Sequence, residues 1–299
     1  MATPNLKNIN IFYKVDFLLH EIFEEKKSVI EIQYNLNDLY GKFWEIYDES
    51  YDYALTINAF IGATQAVMGD KIAQEVFWEE AQVLEFLRYL DTYKESCQKE
   101  RLLYTAQEAR NRKNIEDYIS NLTAHYSKLL FVRIDLHYLK NSQDCVTVSE
   151  FYEHISNFRD LISNKNTCFE NLQGYIWAIE HGMDRSFHCH LLLIYDGSKH
   201  QNDYGLAKMV GEKWVKITHY KGGYYNVNTP SRKNLFKKTG KLGIGMIFRN
   251  DNHSVQNAIN AAKYLTEIKA DYQHAVIKIA KMRTFGKGQF KVGWRRGIK

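Results

Sequence analysis

Between Phe187 and Tyr195 every side chain is apolar except two, His188 and His190, set two residues apart. A run of this kind reads as a β-strand, and in a strand the side chains at i and i+2 leave the same face. Both imidazoles then point the same way from a rigid platform and are placed to hold one divalent metal. Upstream, Tyr175 to Ile179 is a second strand-like run with Glu180 at its end, and Gly182 to Ser186 reads as the turn between the two. Closing that hairpin brings Glu180 beside the histidines. Two imidazoles and a carboxylate form an incomplete shell that leaves room for a substrate oxygen, as catalysis needs and a purely structural site avoids. The donor set suits Mg²⁺, Mn²⁺ or Zn²⁺. A His-x-His pair alone is weak evidence, because histidines satisfied inside a core are common; Glu180 makes the metal the stronger reading. Strand parity sends His181 to the opposite face, and Cys189 also alternates away, into the core.

Two familiar His-x-His sites fit poorly. A metallo-hydrolase HxHxDH site fails because Leu191, Leu192 and Leu193 follow His190, and a cupin-type site lacks its glutamate, since Ile194, Tyr195 and Asp196 stand there. No GxxxxGK[ST] loop and no GxSxG elbow occurs, which argues against nucleotide-driven chemistry and a serine nucleophile.

Residues 1 to about 112 read as almost wholly helical. Apolar side chains recur at helical spacing from Lys71 to Tyr93 and from Asn37 to Tyr47. Ser96 to Lys113 is polar and charged, either a linker or an exposed helix, and a domain boundary is expected there. The predicted division is a helical region, 1–112, with no readable chemistry, followed by a second domain, 113–299. In the latter, Leu129 to Leu136 reads as a buried strand and Val148 to Ile162 as an amphipathic helix. After the histidine hairpin, Leu206 to Ile217 reads as a helix, Gly222 to Val227 and Leu242 to Arg249 as short strands, and Val255 to Lys269 as a helix. Strands alternating with helices, one clear hairpin and no glycine-rich βα turn predict an α+β fold with a mostly antiparallel sheet flanked by helices.

The helix carrying Tyr264 is the second constellation. Ala258, Ala261 and Ala262 permit close approach, while Asn257, Asn260, Tyr264 and Glu267 share one polar face at spacings of three and four. Charge is unevenly spread as well. From residue 230 onward sixteen Lys/Arg face three acids, a local charge of +13 in a chain whose total is +5. Arg232, Lys233, Lys237, Lys238 and Lys241 form the densest cluster, which favours a nucleic-acid partner. No segment has the length and purity of a membrane span. Cys97, Cys145, Cys168 and Cys189 have no metal or disulfide spacing, so reduced cytoplasmic thiols are expected.

Taken in order, these residues resemble the HUH endonucleases, which nick single strands in rolling-circle replication and conjugation. The closer resemblance is to the inovirus Gp2-like replication initiators, the YagK/YfjJ C-terminal domain family. It rests on Phe187-His188-Cys189-His190-Leu191-Leu192-Leu193 with Asp196-Gly197, on Ala261-Ala262-Lys263-Tyr264-Leu265-Thr266, and on Arg283-Thr284-Phe285-Gly286-Lys287-Gly288-Gln289, and it covers roughly 115–295. The resemblance implies an HUH-type sheet and a metal-dependent DNA-nicking and strand-transferring enzyme. In that reading His188, His190 and Glu180 bind Mg²⁺ or Mn²⁺, and Tyr264 is the nucleophile that forms a 5′-phosphotyrosine. Arg232, Lys233, Lys237, Lys238, Lys241, Lys263, Arg283 and Lys287 would contact DNA, with Phe236, Phe285 or Trp294 stacking on bases. It further implies single-stranded origin DNA as partner, a host helicase and polymerase, a bacterial cytoplasm and no membrane. Tyr272 is a distant second tyrosine. One position departs from the family pattern: Glu267 stands three residues after the tyrosine, where the family tends to carry lysine, and Lys263 and Lys269 are the nearby substitutes. The alternatives are a DNA-binding or regulatory protein that kept the fold and lost nicking, and a metal-dependent phosphoesterase.

Overall fold

The computed structural model describes residues 3–69, 76–182, 186–266 and 274–290. Helices α1 (Asn10–Phe23) and α2 (Val29–Ile46), a short strand β1 (Asp52–Tyr53) and α3 (Leu55–Met68) lead the chain. Ser28 and Glu31 cap α2 reciprocally, each side chain bonding the other's backbone N–H, so two orphan donors of the first turn are satisfied.

Helix α4 (Glu80–His125) then runs for 46 residues, through the whole charged segment 96–113. Its first turns bury Val83, Phe86 and Leu90 against the leading helices, and its last turns bury Ile115, Tyr118, Ile119 and Leu122 against the sheet. The helix expected from Lys71 thus begins later. Residues 70–75 lie outside the described residues, and Val76 and Phe77 precede the helix in non-helical backbone. Asn37 accepts from Trp78 N–H and Gln33 donates to Trp78 C=O, which holds this backbone outside the helix while the indole packs on Tyr40 and Phe86.

The rest alternates: β2 (Lys128–Tyr138), α5 (Val148–Asn164), β3 (Leu172–Gly182), β4 (Ser186–Asp196), α6 (Asp203–Ile217), β5 (Gly222–Asn226), α7 (Pro230–Lys238), β6 (Gly245–Phe248), α8 (Asn252–Lys263), β7 (Ile277–Lys278) and β8 (Phe285–Lys287). Six strands form one sheet in the order β5-β2-β4-β3-β8, with β6 also paired to β2, and every ladder is antiparallel. A separate two-stranded ladder joins β1 to β7. The fold is α+β. Among the described residues no helix is long and apolar enough to cross a membrane, and all four cysteines are free.

Strand parity divides the sheet between two cores. Leu130, Val132, Ile134, Trp177, Ile179, Leu191 and Leu193 face α5, α6 and the leading helices. Phe131, Ile176, Ala178, Leu192 and Ile194 face the end of α4 and α8. Helix α8 approaches closely because Ala258 and Ala262 are small and because Gly243 lies under it: a Cβ at Gly243 would stand 2.1 Å from Asn257 O.

The outer edge of β2 is shared. Strand β6 pairs with Lys128–Phe131 and β5 with Ile134–Tyr138, which leaves Arg133 between them. The fully buried Asn228 closes this gap with its side chain, accepting from Arg133 N–H at 3.1 Å and donating to Arg133 C=O at 2.7 Å. One amide thereby replaces a strand's ladder bonds and leaves the sheet split at that edge.

On the face toward the leading helices, His181 stacks on Tyr13 with ring centroids 3.4 Å apart. Burial, with the nearby His188 imidazole, pushes its pKa down to about 3. The folded value lies below the unfolded value of about 6.5. Its contribution is therefore complete above pH 6.5 and is lost as pH falls toward 3, with a limiting slope of about 1.4 kcal/mol per pH unit. His181→Phe retains the stacked ring without the titration. Its melting temperature should fall less steeply than the parent's between pH 6.5 and 4, measured by circular dichroism.

Candidate functional site

On the face covered by α4 and α8 the apolar side chains stop before the strands do. Phe131 is followed on that face by Arg133 and Asp135, Ala178 by Glu180, and Leu192 by His190 and His188. Antiparallel register places Glu180 opposite His188 and Asp135 opposite His190. Three adjacent strands thus deliver two carboxylates, two imidazoles and a guanidinium to one patch.

Glu180, His188 and His190 each present one ligand atom, all within 4.8 Å of one another. Glu180 Oε2 lies 3.2 Å from His190 Nε2 and 3.9 Å from His188 Nε2. The two rings stand nearly perpendicular, with centroids 4.9 Å apart. Each ring is steered by its other nitrogen. His188 Nδ1–H donates to Ser186 C=O at 3.1 Å, and His190 Nδ1–H donates to Asp135 Oδ1 at 2.7 Å. A carbonyl only accepts, so its partner fixes the His188 tautomer and leaves the Nε2 lone pair facing Glu180. Backing a ligand's far nitrogen with a carbonyl or carboxylate is how metal-binding histidines are oriented, and the donor set fits a divalent ion.

The electrostatics differ between the two rings. Burial, then repulsion from His190, lowers the His188 pKa, so this imidazole is neutral near pH 7. Burial also acts against charge on His190, but hydrogen bonds to Asp135 and Glu180 outweigh it and raise its pKa to about 9. Asp135 is likewise buried, yet the His190 bond and charge, with Arg133, hold its pKa down to about 2. Without metal the patch therefore holds a protonated His190, and a metal must displace that proton. Divalent-metal affinity should rise about tenfold per pH unit from pH 7 and level off above about 9. Calorimetric titration with Mn²⁺ in buffers of different ionisation enthalpy would show close to one proton released at pH 7.5.

Beside this patch, at the split edge of the sheet, opens a cavity of about 690 Å³. Asp135, Arg133, Tyr225 and Val227 form its sheet wall, Asn257, Asn260, Ala261, Lys263 and Tyr264 its α8 wall, and Arg232, Phe236 and Lys241 its α7 side. Tyr264 ends α8 where the helix tightens into a single 3₁₀ turn, Tyr264–Thr266. It is 41% exposed, and its ring lies 5.2 Å from the Arg133 guanidinium carbon. Asp135 lines the cavity and also grips His190, which places the Glu180/His188/His190 group beside the cavity whose α8 wall carries Tyr264.

The family model of the YagK/YfjJ C-terminal domain matches residues 92–288. The chain belongs to the YagK/YfjJ C-terminal domain family. A search of curated proteins gives no match, and neither does a search of solved structures. The family match begins inside α4 and ends just past β8, so it spans the sheet, the histidine hairpin and the Tyr264 helix.

Of the basic residues marked in the sequence, Arg232, Lys241 and Lys263 line the cavity. Lys263 bonds Glu116 at 3.0 Å, and Arg232 donates to the Tyr225 hydroxyl. Lys233 is on α7 but pairs with Asp203 at 2.8 Å, away from the cavity wall. Lys237 and Lys238 are exposed on the last turn of α7. Lys287 sits on β8 with its ammonium 4.7 Å above the Tyr118 ring, and burial lowers its pKa. Thr284 C=O accepts from Ile179 N–H, which brings the exposed Arg283 to the Glu180 end of β3. Phe236 lines the cavity, whereas Phe285 packs against the α4–α8 core. Glu267, Lys269, Tyr272 and Trp294 lie outside the described residues.

Sequence reasoning did not single out Asp135, Arg133, Arg112 and Tyr225. A signal for the first two was present: in Leu129-Leu130-Phe131-Val132-Arg133-Ile134-Asp135-Leu136 the only polar residues are two apart, hence on one face. Arg112 carried no such mark, since it stands in a uniformly charged stretch of α4.

Proposed function

We propose that this protein is an HUH endonuclease of the inovirus Gp2-like kind, a rolling-circle replication initiator that nicks and rejoins single-stranded DNA. The observation that carries the reading is that one cavity is lined both by Tyr264 and by Asp135, the residue that orients His190 of the Glu180/His188/His190 set. Its basic wall supports a polyanionic substrate: Arg112, Arg133, Arg232, Lys241 and Lys263 against one acid, Asp135. A single strand suits the site, because its backbone can bend into a cleft and its bases can stack on Tyr225 and Phe236.

In the proposed reaction the Tyr264 oxygen attacks the scissile phosphorus. A Tyr264 O–P bond forms, the bond from phosphorus to the 3′ oxygen breaks, the phenolic proton passes to solvent, and the departing oxygen is protonated to a 3′-OH. One phosphodiester replaces another, so the energy of the bond is retained and a later 3′-OH can reverse the exchange. A divalent ion held by His188, His190 and Glu180 would supply Lewis-acid stabilisation of charge on the phosphate. Arg232, Lys241 and Lys263 hold the strand across the opening, and surface pairs such as Lys263–Glu116 are weak enough to yield to a phosphate. Origin DNA, a host helicase and polymerase, and the cytoplasm of a bacterial host complete the proposal.

The test is incubation with end-labelled single strands bearing the replication origin, with Mn²⁺ and with chelator. A covalent species that survives denaturing electrophoresis and requires metal is expected. Retained strands without an adduct would favour the regulatory alternative, and turnover of small phosphodiesters without an adduct would favour the phosphoesterase.

A further inference from the structure

Arg133 is the most deeply placed cation of the cavity, and it sits where neither β5 nor β6 pairs with β2. Its side chain is 12% exposed, and its Nε is buried without a hydrogen-bond partner. The nearest carboxylate oxygen, Asp135 Oδ1 at 3.5 Å, already accepts from His190 at 2.7 Å. On the other side the guanidinium overlies Tyr264. The backbone at this position is held on both groups by the buried Asn228. The other cavity cations are differently engaged. Lys263 is paired with Glu116, Arg112 lies 3.7 Å from Glu108, Arg232 is bound to the Tyr225 hydroxyl, and Lys241 is exposed.

A guanidinium taken from water this far is costly unless it is both paired and hydrogen-bonded, and a carboxylate oxygen 3.5 Å away that already accepts from His190 meets that need only in part. Nε is left without a hydrogen bond that an anion in the cavity would supply, and the position lies between the Glu180/His188/His190 group and Tyr264. We infer that Arg133 is a catalytic residue that contacts a non-bridging oxygen of the scissile phosphate, an inference that rests on the nicking reading above. A buried, fixed donor stabilises developing charge more than a solvated lysine on the rim, because the effective dielectric is lower and no reorganisation is needed.

The experiment measures single-turnover adduct formation with Mn²⁺ by the parent, Arg133→Gln and Arg133→Lys. Each acts on a strand with an ordinary phosphate and on one with a methylphosphonate at the mapped cleavage position. Arg133→Gln should slow the ordinary strand about 10²–10³-fold, the usual cost of losing one oxyanion donor. Arg133→Lys should recover part of this but stay about tenfold slow, since an ammonium does not reproduce the guanidinium fork. Methylphosphonate should slow the parent strongly and Arg133→Gln little further, because both changes remove the same contact. Mn²⁺ affinity and melting temperature should match the parent's in both variants. If Arg133→Gln does not fold, the Arg133→Lys and parent rates on the two strands decide. Parent rates in either variant, defects that multiply with methylphosphonate, or a loss that tracks Mn²⁺ affinity overturn the inference while leaving nicking intact. Absence of an adduct from the parent overturns the nicking reading itself, and this inference with it.

Discussion

Tyr264→Phe abolishes the covalent protein–DNA species while the variant still binds the strand and folds. The loss expected is at least about 1,000-fold, or about 4 kcal/mol of barrier, because phenylalanine has no oxygen with which to form the ester. Binding changes little, since one hydroxyl contributes about 0.5–1.5 kcal/mol through a hydrogen bond, while the basic wall of the cavity is untouched. Folding is preserved for a local reason. Tyr264 is 41% exposed at the end of α8, and the ring that lies beside the Arg133 guanidinium is retained by phenylalanine. Denaturing electrophoresis scores the adduct, fluorescence anisotropy scores affinity, and a thermal melt guards against misfolding. An adduct of undiminished yield would remove Tyr264 from the nucleophile's role and direct attention to another tyrosine.

The parts of this site differ in how legible they are from residues alone, and the difference is one of chain distance. Glu180, His188 and His190 lie within one hairpin, so period-two alternation and one turn suffice to bring them together; the ladder that pairs Glu180 with His188 is the arrangement this pattern predicts. His181 and Cys189 follow from the same parity, and both are buried on the other face. Asp135 needs more, because it meets His190 only through the β2–β4 register, and that register depends on packing of the whole sheet. Its neighbour Arg133 needs still more. What isolates it is the split between β5 and β6, bridged by the side chain of Asn228, a tertiary arrangement that no local propensity encodes.

The helical half shows the same rule from the other direction. Capped, amphipathic segments such as α2 and α5 are readable because each carries its own apolar stripe. Helix α4 is not readable as one element, since its stripe is present at both ends and missing in the middle, where Leu102 and Leu103 are exposed among charged side chains. A polar stretch of that kind has the composition of a linker. It is helical because its two ends are anchored on different cores, and propagating a helix between them costs less than nucleating a new one.

His190→Ala should remove metal binding and adduct formation together, whereas Asp135→Asn should leave a weakened site with an altered pH profile. His190 supplies one of three ligand atoms, so its loss leaves His188 and Glu180, too few to compete with water for a hard divalent ion. Asp135 touches only the far nitrogen of that ring, and removal of such a partner typically costs about 10–100-fold in metal affinity. The pH dependence separates the two effects. Asp135 is the first of the partners that lift the His190 pKa to about 9 against the effect of burial. Without its charge the imidazole loses its proton at lower pH, and proton competition recedes. The 10–100-fold deficit of Asp135→Asn should therefore be largest above pH 9, where the parent site is already deprotonated, and should narrow toward pH 7, where the parent still has to release a proton to bind. Calorimetric titration of both proteins with Mn²⁺ at pH 7 and 9.5 tests this directly. A deficit that is constant with pH would mean that Asp135 orients the ring without controlling its proton, and a deficit that grows toward pH 7 would show that the carboxylate does not raise the His190 pKa.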